Sequence, residues 1–207
     1  MFCLFDSVKS AKIYTENRGE AIILALGDLR RNLLELSGKS EGFEIGEDGD
    51  IRIFTEEGEP ESYSVEIDEG GVTIRGGDTL GTVFGIYAFA TKTLGISPTY
   101  RLTDVFPKAR EEMFLEASFY SSPKRSIRFR GWFLNDEDLL TDFKDSGGVR
   151  NIDYYWYHAT MHEDVLDMII ETALRFEINL MIPSSFVDID NPAEESLSRR
   201  FTDAECT

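Results

Sequence analysis

Apolar residues between positions 18 and 36 recur at steps of three and four, which is the spacing of one face of an α-helix. The residues on this face are Ile22, Ile23, Leu26, Leu29, Leu33 and Leu34. Gly38 follows as a signal for the C-terminal end of a helix. The pattern predicts a first amphipathic helix, with a short first strand before it at residues 12–15.

Residues 51–74 follow the two-residue period of β-strands instead. The run at residues 51–54 predicts one strand. Beyond it, apolar and polar residues alternate on both sides of a Gly70-Gly71 turn, which is typical of a β-hairpin. The alternating apolar positions are Tyr63, Val65, Ile67, Val72 and Ile74.

A second helix is predicted over residues 79–94, with Asp78 as its N-terminal cap. Gly81 and Gly85 lie four residues apart inside it, and interior glycines weaken a helix, so we expect them to allow close packing against a sheet. The segment 76–81 resembles a glycine-rich phosphate loop only loosely, because it lacks the Lys-Ser/Thr ending. We interpret it as a tight connection between strand and helix. Residues 1–108 are therefore predicted to form an α+β domain with two helices against a sheet.

The pattern changes after residue 108, and we assign residues 109–207 to a second domain. The apolar run at 127–134 predicts a strand buried on both faces. A helix over 161–176 and a second buried strand at 179–183 follow. Strand, helix and strand in this order predict a βαβ unit, and hence a parallel sheet.

Composition narrows the range of partners. The chain of 207 residues has 39 acidic and 21 basic residues, for a formal net charge of -18. Such a charge disfavours binding to nucleic acids and to anionic membranes. No apolar stretch is long enough to span a bilayer, and the N-terminus lacks the features of a secretory signal. Cys3 and Cys206 suggest no disulfide framework. We expect a cytoplasmic protein, or a secreted or periplasmic one if a signal peptide has been removed.

The strongest candidates for chemistry are Asn135, Asp136 and Glu137, which directly follow the first strand of the predicted parallel sheet. Ligands of parallel α/β folds bind beyond the carboxyl ends of the strands. Carboxylates placed there can protonate a leaving group or activate water, which makes Asp136 and Glu137 the catalytic candidates and Asn135 a substrate ligand. The alternative is structural, with Asp136 or Asp138 capping a helical turn.

Further candidates lie in the two loops that follow. Trp156 offers a flat apolar face to a sugar ring, or else folds onto the core as a loop residue. Ser185, just beyond the second strand, is a candidate substrate ligand. His158 and His162 are four residues apart, but no Glu follows the first histidine as a zinc-protease motif requires. We therefore predict no metal site.

Several segments together resemble glycoside hydrolase family 115, the xylan α-1,2-glucuronidases. The resemblance begins near Glu61, ends near Pro183 and is most specific in the Gly-Ile-Tyr and Asn-Asp-Glu motifs at 85–87 and 135–137. The segments that carry it are Ser62-Tyr63-Ser64-Val65-Glu66-Ile67, Gly81-Thr82-Val83-Phe84-Gly85-Ile86-Tyr87, Gly95-Ile96-Ser97-Pro98, Asp104-Val105-Phe106-Pro107 and the run 127–137.

The resemblance implies an α+β N-terminal domain followed by a (β/α)₈ TIM barrel. It also implies release of glucuronic acid from plant polysaccharide without a cofactor, with Asn135, Asp136 and Glu137 in the pocket wall. A complete barrel takes about 250 residues. We therefore expect a truncated barrel and an inactive fragment. An open sheet edge at Leu180 and Ile182 would favour homo-oligomerisation. Two alternatives are a hexosaminidase-like glycosidase of the same two-domain plan and a non-catalytic carbohydrate-binding or interaction module.

Overall fold

A computed structural model of the chain describes residues 1–134, 149–150, 159–160 and 163–182. Within these residues it contains twelve β-strands and four α-helices, so the predicted mixed α/β content is confirmed. The Cα positions divide into two compact units, Met1–Ser126 and Ile127–Thr207. No helix of the described residues combines the length and the apolar character needed to cross a bilayer.

The first unit is organised around a six-stranded mixed sheet. Its strands are β2 (Ile13–Thr15), β3 (Ile45–Gly46), β4 (Ile51–Thr55), β5 (Tyr63–Asp68), β6 (Gly71–Gly76) and β8 (Ser118–Ser121). They lie in the order β3-β2-β4-β6-β5-β8. The first four strands in this order, β3, β2, β4 and β6, run parallel to one another. Strand β5 runs antiparallel to both β6 and β8. The predicted hairpin is confirmed, because β5 and β6 pair from Tyr63 opposite Gly76 to Asp68 opposite Gly71.

The second helix of this unit packs on the face of the sheet to which the alternating apolar residues of β5 and β6 point, and the first helix packs against the second. Helix α1 (Glu20–Ser37) matches the predicted helix and ends at Gly38, whose φ of 66° is left-handed. Its buried stripe runs through Ile22, Leu26, Leu29, Leu33 and Leu36. Ile23 was predicted on the same face but is 36% exposed, because it lies one position off the centre of the stripe.

Helix α2 (Thr79–Ala88) confirms the prediction made for its glycines. A Cβ on Gly85 would come within 2.8 Å of Ile74 Cγ2 and 3.1 Å of Tyr63 Cβ. A Cβ on Gly81 would collide with the backbone carbonyl of Ser62. The two glycines therefore let α2 approach the β5–β6 hairpin more closely than any residue with a side chain would.

The start of α2 was predicted correctly, and its end was not. Asp78 caps the helix, since its Oδ1 accepts a hydrogen bond of 2.6 Å from the N–H of Gly81. The predicted helix extends to residue 94, whereas α-helical hydrogen bonding ends at Ala88 and a π-helical turn covers Phe89–Thr93. A π turn keeps the same apolar residues buried, so hydropathy does not distinguish it from an α-helix. A short helix, α3 (Tyr100–Thr103), follows.

The first unit extends past the domain boundary that we predicted between residues 108 and 109. Strand β7 (Met113–Leu115) pairs antiparallel with β1 (Phe2–Phe5), and β8 pairs with β5. Strands β7 and β8 thus follow residue 108 in the sequence but pair with strands of the N-terminal part of the chain. Strand β1 itself was not predicted, because four mostly apolar residues without alternation carry no strand period.

The second unit contains the predicted βαβ unit. Strand β9 (Gly131–Phe133), helix α4 (Glu163–Arg175) and strand β12 (Leu180–Ile182) follow one another, and β9 and β12 pair in parallel. The short strands β10 (Val149–Arg150) and β11 (Ala159–Thr160) form an antiparallel pair between β9 and α4 in the chain.

The prediction that β9 is buried on both faces is wrong for the described structure. Trp132 is half-buried, with its ring 6.0 Å from that of Phe176, but Phe133 is 61% exposed. In the described part of this unit the parallel sheet consists of two strands, so the face that carries Phe133, Leu180 and Ile182 has no covering layer. Leu180 and Ile182 are exposed, as the sequence analysis predicted for these two residues.

The close approach of α2 to the hairpin can be tested by a Gly81→Ala substitution. We expect the free energy of unfolding to fall by at least about 2 kcal/mol, because the new methyl group meets rigid backbone at Ser62. Chemical denaturation monitored by circular dichroism measures this change.

The matched control is Gly27→Ala in α1, where an added Cβ meets nothing within 4 Å. This variant should gain up to about 1 kcal/mol from helix propensity. Equal effects of the two substitutions would contradict the packing argument.

Candidate active-site edge of the second unit

The carboxyl ends of β9 and β12 lie side by side. The register pairs Gly131 with Leu180 and Phe133 with Ile182. One residue further, the N–H of Leu134 donates a hydrogen bond of 3.0 Å to the carbonyl oxygen of Ile182. Because parallel strands end at the same edge, the chain leaves both strands at one place, which we call the β9–β12 edge.

The residues predicted to form the site follow this edge in the sequence. Asn135 comes directly after Leu134, and Asp136 and Glu137 come next; all three lie outside the described residues. Ser185, beyond β12, and Trp156 also lie outside them, as do His158 and His162. The structure therefore brings together Leu134, which precedes the candidate segment 135–137, and Ile182, which precedes the segment that contains Ser185. The roles of the candidate residues stay predictions.

The opposite ends of the two strands are joined by the side chain of Asn179. Its Oδ1 accepts a hydrogen bond of 2.8 Å from the N–H of Arg130, and its Nδ2 donates one of 2.7 Å to the carbonyl oxygen of Arg128. The backbone N–H groups of Asn179 and Leu180 both donate to the carbonyl oxygen of Arg130, at 3.0 and 3.2 Å. Asn179 thus fixes which residues of β9 and β12 are opposite each other.

Arg130 adds a second connection at this end. Its Nε donates a hydrogen bond of 2.8 Å to the carbonyl oxygen of Glu177, in the turn that leads from α4 to β12. Glu177 has a left-handed φ of 59°, which turns the chain sharply after the helix. Arg128 and Arg130 lie at the amino ends of the strands, so neither is placed to contact a substrate at the β9–β12 edge. Sequence patterns did not single out Asn179 or Arg130 for this role; an Asn just before a strand is the signal that was available.

Helix α4 contains a buried ion pair. Arg175 donates two hydrogen bonds to Oε1 of Glu171, from Nε at 3.0 Å and from Nη2 at 2.7 Å. The side chain of Arg175 is fully buried and that of Glu171 is 4% exposed. Buried charges are tolerated only when they are paired, so each member of this pair requires the other. The four-residue spacing on a helix is the sequence signal for it.

Several groups of the first unit have shifted pKa values. The backbone N–H groups of Lys9 and Val8 lower the pKa of Asp6. Burial, and then the carboxylate of Asp6, raise the pKa of the Cys3 thiol. Burial raises the pKa of Tyr120, against the effect of its hydrogen bond with Thr93. These shifts have structural causes and mark no acid–base pair. Among all the residues that the structure describes, no cluster of three His, Cys, Asp or Glu side chains could hold a metal ion.

Residues 122–202 match the sequence model of glycosyl hydrolase family 115, so the resemblance inferred from the sequence is confirmed over the second unit. The sequence matches no curated protein.

Solved structures show a similar fold. One is a family GH115 4-O-methyl-alpha-glucuronidase, BtGH115A, with specificity for decorated arabinogalactans. It has a TM-score of 0.74 and 21% sequence identity over 99% of this chain. A mutant β-hexosaminidase of Streptomyces plicatus in complex with GlcNAc has a TM-score of 0.51 at 14% identity over 87% of this chain. The chitobiase of Flavobacterium johnsoniae has a TM-score of 0.50 at 16% identity over 86% of this chain. The present chain spans 28% of BtGH115A, 42% of the hexosaminidase and 31% of the chitobiase.

The alignment of the β9–β12 edge can be tested with Asn179→Ala. Losing both side-chain hydrogen bonds should destabilise the strand pair by about 1–3 kcal/mol. Hydrogen–deuterium exchange read by mass spectrometry should then show faster exchange in peptides that cover residues 130–134 and 180–182.

Asn179→Asp is the matched comparison, because it keeps the acceptor for the N–H of Arg130 and loses the donor to Arg128. We expect its exchange rates to lie between those of the native chain and those of Asn179→Ala. Unchanged exchange in Asn179→Ala would show that the backbone alone sets the register.

Proposed function

We propose that this chain, which resembles glycosyl hydrolase family 115 over residues 122–202, provides part of a glycoside hydrolase. In this proposal the first unit, Met1–Ser126, is an accessory α+β domain, and the second unit, Ile127–Thr207, begins a (β/α)₈ catalytic barrel. The substrate is a plant polysaccharide or oligosaccharide that carries uronic acid, and the activity is that of an α-glucuronidase. The observation that supports this assignment best is the parallel pairing of β9 with β12, with a helix between them in the chain.

A parallel βαβ unit is the repeating element of a (β/α)₈ barrel, whose active site forms at the carboxyl ends of the strands. The hydrogen bond from Leu134 to Ile182 defines that end for the first two strands. Asn135, Asp136 and Glu137 are the next three residues of the chain after Leu134. This sequence position is our reason for assigning them to the wall of the substrate pocket.

The exposed face of β9 and β12 supports the same assignment. Phe133, Leu180 and Ile182 are 61%, 42% and 47% exposed, although all three are large apolar residues. In a closed barrel one face of every strand points inward and is filled by such side chains. We assign these three residues to the interior of the barrel.

Hydrolysis of a glycosidic bond requires one group that protonates the leaving oxygen and one that activates water or attacks the sugar carbon. We assign Asp136 and Glu137 to this proton-transfer chemistry, and Asn135 to hydrogen bonds with sugar hydroxyl groups. Trp156 would stack on a sugar ring, and Ser185 would donate a hydrogen bond from the second strand. The reaction needs only water, so we assign no cofactor and no metal.

Further strands of a barrel would have to complete the pocket. The chain spans 28% of the length of BtGH115A, so the activity we propose belongs to the assembled enzyme rather than to these residues alone. A uronic acid carries a carboxylate, which the net charge of -18 would repel. A cation at the carboxyl ends of the strands must therefore face the substrate, and Arg128 and Arg130, at the amino ends, are excluded from this role.

The proposal is tested on the full-length protein with aldouronic acids and with aryl α-glucuronides. Asp136→Asn and Glu137→Gln should each lower kcat by about 10²–10⁴-fold, the usual contribution of a general acid or base. Asp167→Asn, which changes an exposed carboxylate on α4, should leave kcat unchanged.

Released glucuronic acid distinguishes this function from its alternatives. Release of N-acetylhexosamine instead would favour a hexosaminidase-like enzyme of the same plan. A folded full-length protein that binds polysaccharide in isothermal titration but releases no sugar would be a carbohydrate-binding module.

A further inference from the structure

We propose that strand β8 is a docking edge for a second copy of this chain, with which it pairs as an antiparallel strand. Strand β8 is the last strand of the six-stranded sheet, next to β5. Among the described residues no strand lies on its outer side. An exposed edge of this kind pairs with another strand unless the sequence prevents it.

The hydrogen bonds with β5 show which backbone groups of β8 point outward. The N–H of Ser122 donates a hydrogen bond of 2.8 Å to the carbonyl oxygen of Tyr63. Bonded and non-bonded pairs alternate along an antiparallel ladder, so Tyr120 and Ser118 also face β5. The N–H and C=O groups of Phe119 and Ser121 therefore point away from β5, toward the open side.

The sequence of β8 lacks the usual protections of an edge strand. Ser118-Phe119-Tyr120-Ser121 contains no charged residue, no proline and no bulge. The ring of Phe119 is 68% exposed on it. The opposite edge, β3, is only two residues long and lies between Glu44 and Glu47. In a chain with a net charge of -18, two copies therefore approach each other with less repulsion at β8 than at the other edge of this sheet.

One register fits both the hydrogen bonds and the charges. It places Tyr120 opposite Tyr120 of the second copy, and Phe119 opposite Ser121 of the second copy. The outward groups of Phe119 and Ser121 then form about four hydrogen bonds across the two-fold axis. If the strands continue in the same register, exposed Glu116 lies opposite exposed Lys124 of the second copy, twice by symmetry.

Neighbouring registers lose one of these features. A shift by one residue places Tyr120, whose backbone groups face β5, opposite an outward-facing residue of the second copy. The backbone groups of the two strands then do not meet, so the hydrogen-bond ladder cannot form. A shift by two residues in one direction sets Phe119 opposite Pro123 of the second copy, so the missing N–H of proline falls in the middle of the ladder; in the central register Pro123 lies at its end, opposite Ala117. A shift by two in the other direction sets Glu116 opposite Ser122 and removes the charge pair. The central register also makes the two Phe119 rings diagonal neighbours, which buries them against each other.

The dimer is tested on the whole chain by sedimentation equilibrium. Ser121→Pro removes an outward N–H but no hydrogen bond to β5, and proline is tolerated at such edge positions. We expect a concentration-dependent dimer for the native chain. In Ser121→Pro the dissociation constant should rise about tenfold or more, since two hydrogen bonds are lost at the symmetric interface. Ser121→Ala keeps the N–H and should dimerise like the native chain.

The charge pair provides a test that does not depend on proline. Glu116→Lys and Lys124→Glu should each weaken the dimer several-fold, and the double variant should restore it. Ile182→Lys changes the β9–β12 face and should leave the dissociation constant unaltered. A monomeric native chain would overturn the proposal. So would a dimer that Ile182→Lys abolishes while both the Ser121→Pro and the charge variants leave it unchanged.

Discussion

Helix α2 can lie directly on the β5–β6 hairpin because its two interior glycines leave room for the strands, and the rest of the first unit depends on this contact. The close approach brings the Thr82 hydroxyl to within 2.9 Å of the Thr55 hydroxyl, which ties the helix to β4. On its other side, the hydroxyl of Tyr87 donates a hydrogen bond of 2.6 Å to Asp28, which ties α2 to α1. A wider gap between helix and sheet would break the hydrogen bond to Thr55, and it would move α2, together with α1 packed against it, away from the sheet.

In the second unit the polar side chain of Asn179 sets the register of β9 and β12, whereas in the first unit the missing side chains of two glycines set the distance between helix and sheet. Asn179 satisfies a donor of Arg130 and an acceptor of Arg128 at the start of the parallel pair. Once this end is fixed, the regular rise of the strands determines which residues meet at the other end. The contacts of Asn179, three residues before Ile182, therefore determine that Leu134 pairs with Ile182. This pairing forms the edge to which we assign the substrate. Asn179, at the amino ends of the strands, can therefore control the shape of the pocket that we propose at their carboxyl ends.

The elements predicted correctly from the sequence are those whose residues carry a local period or a local cap. Ile22, Leu26 and Leu33 define α1 by their helical spacing, and Asp78 marks the start of α2. The π turn after Ala88 was missed because it changes hydrogen bonding without changing which residues are apolar.

Long-range features were beyond a local reading. Strand β1 was missed because its partner, β7, is about a hundred residues away in the sequence, and its own four residues show no alternation. The exposure of Phe133 depends on how many strands join the sheet, which no property of residues 127–134 encodes. For the candidate site, the sequence predicted the strand ends that the structure brings together. The roles of Asp136 and Glu137 depend on their surroundings at those ends and stay predictions.

The pairings of β1 with β7 and of β5 with β8 also bear on how the chain folds during synthesis. Both join early residues to strands that end at Leu115 and Ser121. The ribosome must therefore release nearly the whole first unit before its sheet can close. Until then the apolar residues of β1 and β5 lack these neighbours in the nascent chain, and contacts between such distant residues form slowly. A chaperone that binds the emerging N-terminal segment would protect these residues during this period. A pause in translation once residue 121 has left the ribosome would allow the first unit to fold before the second one emerges.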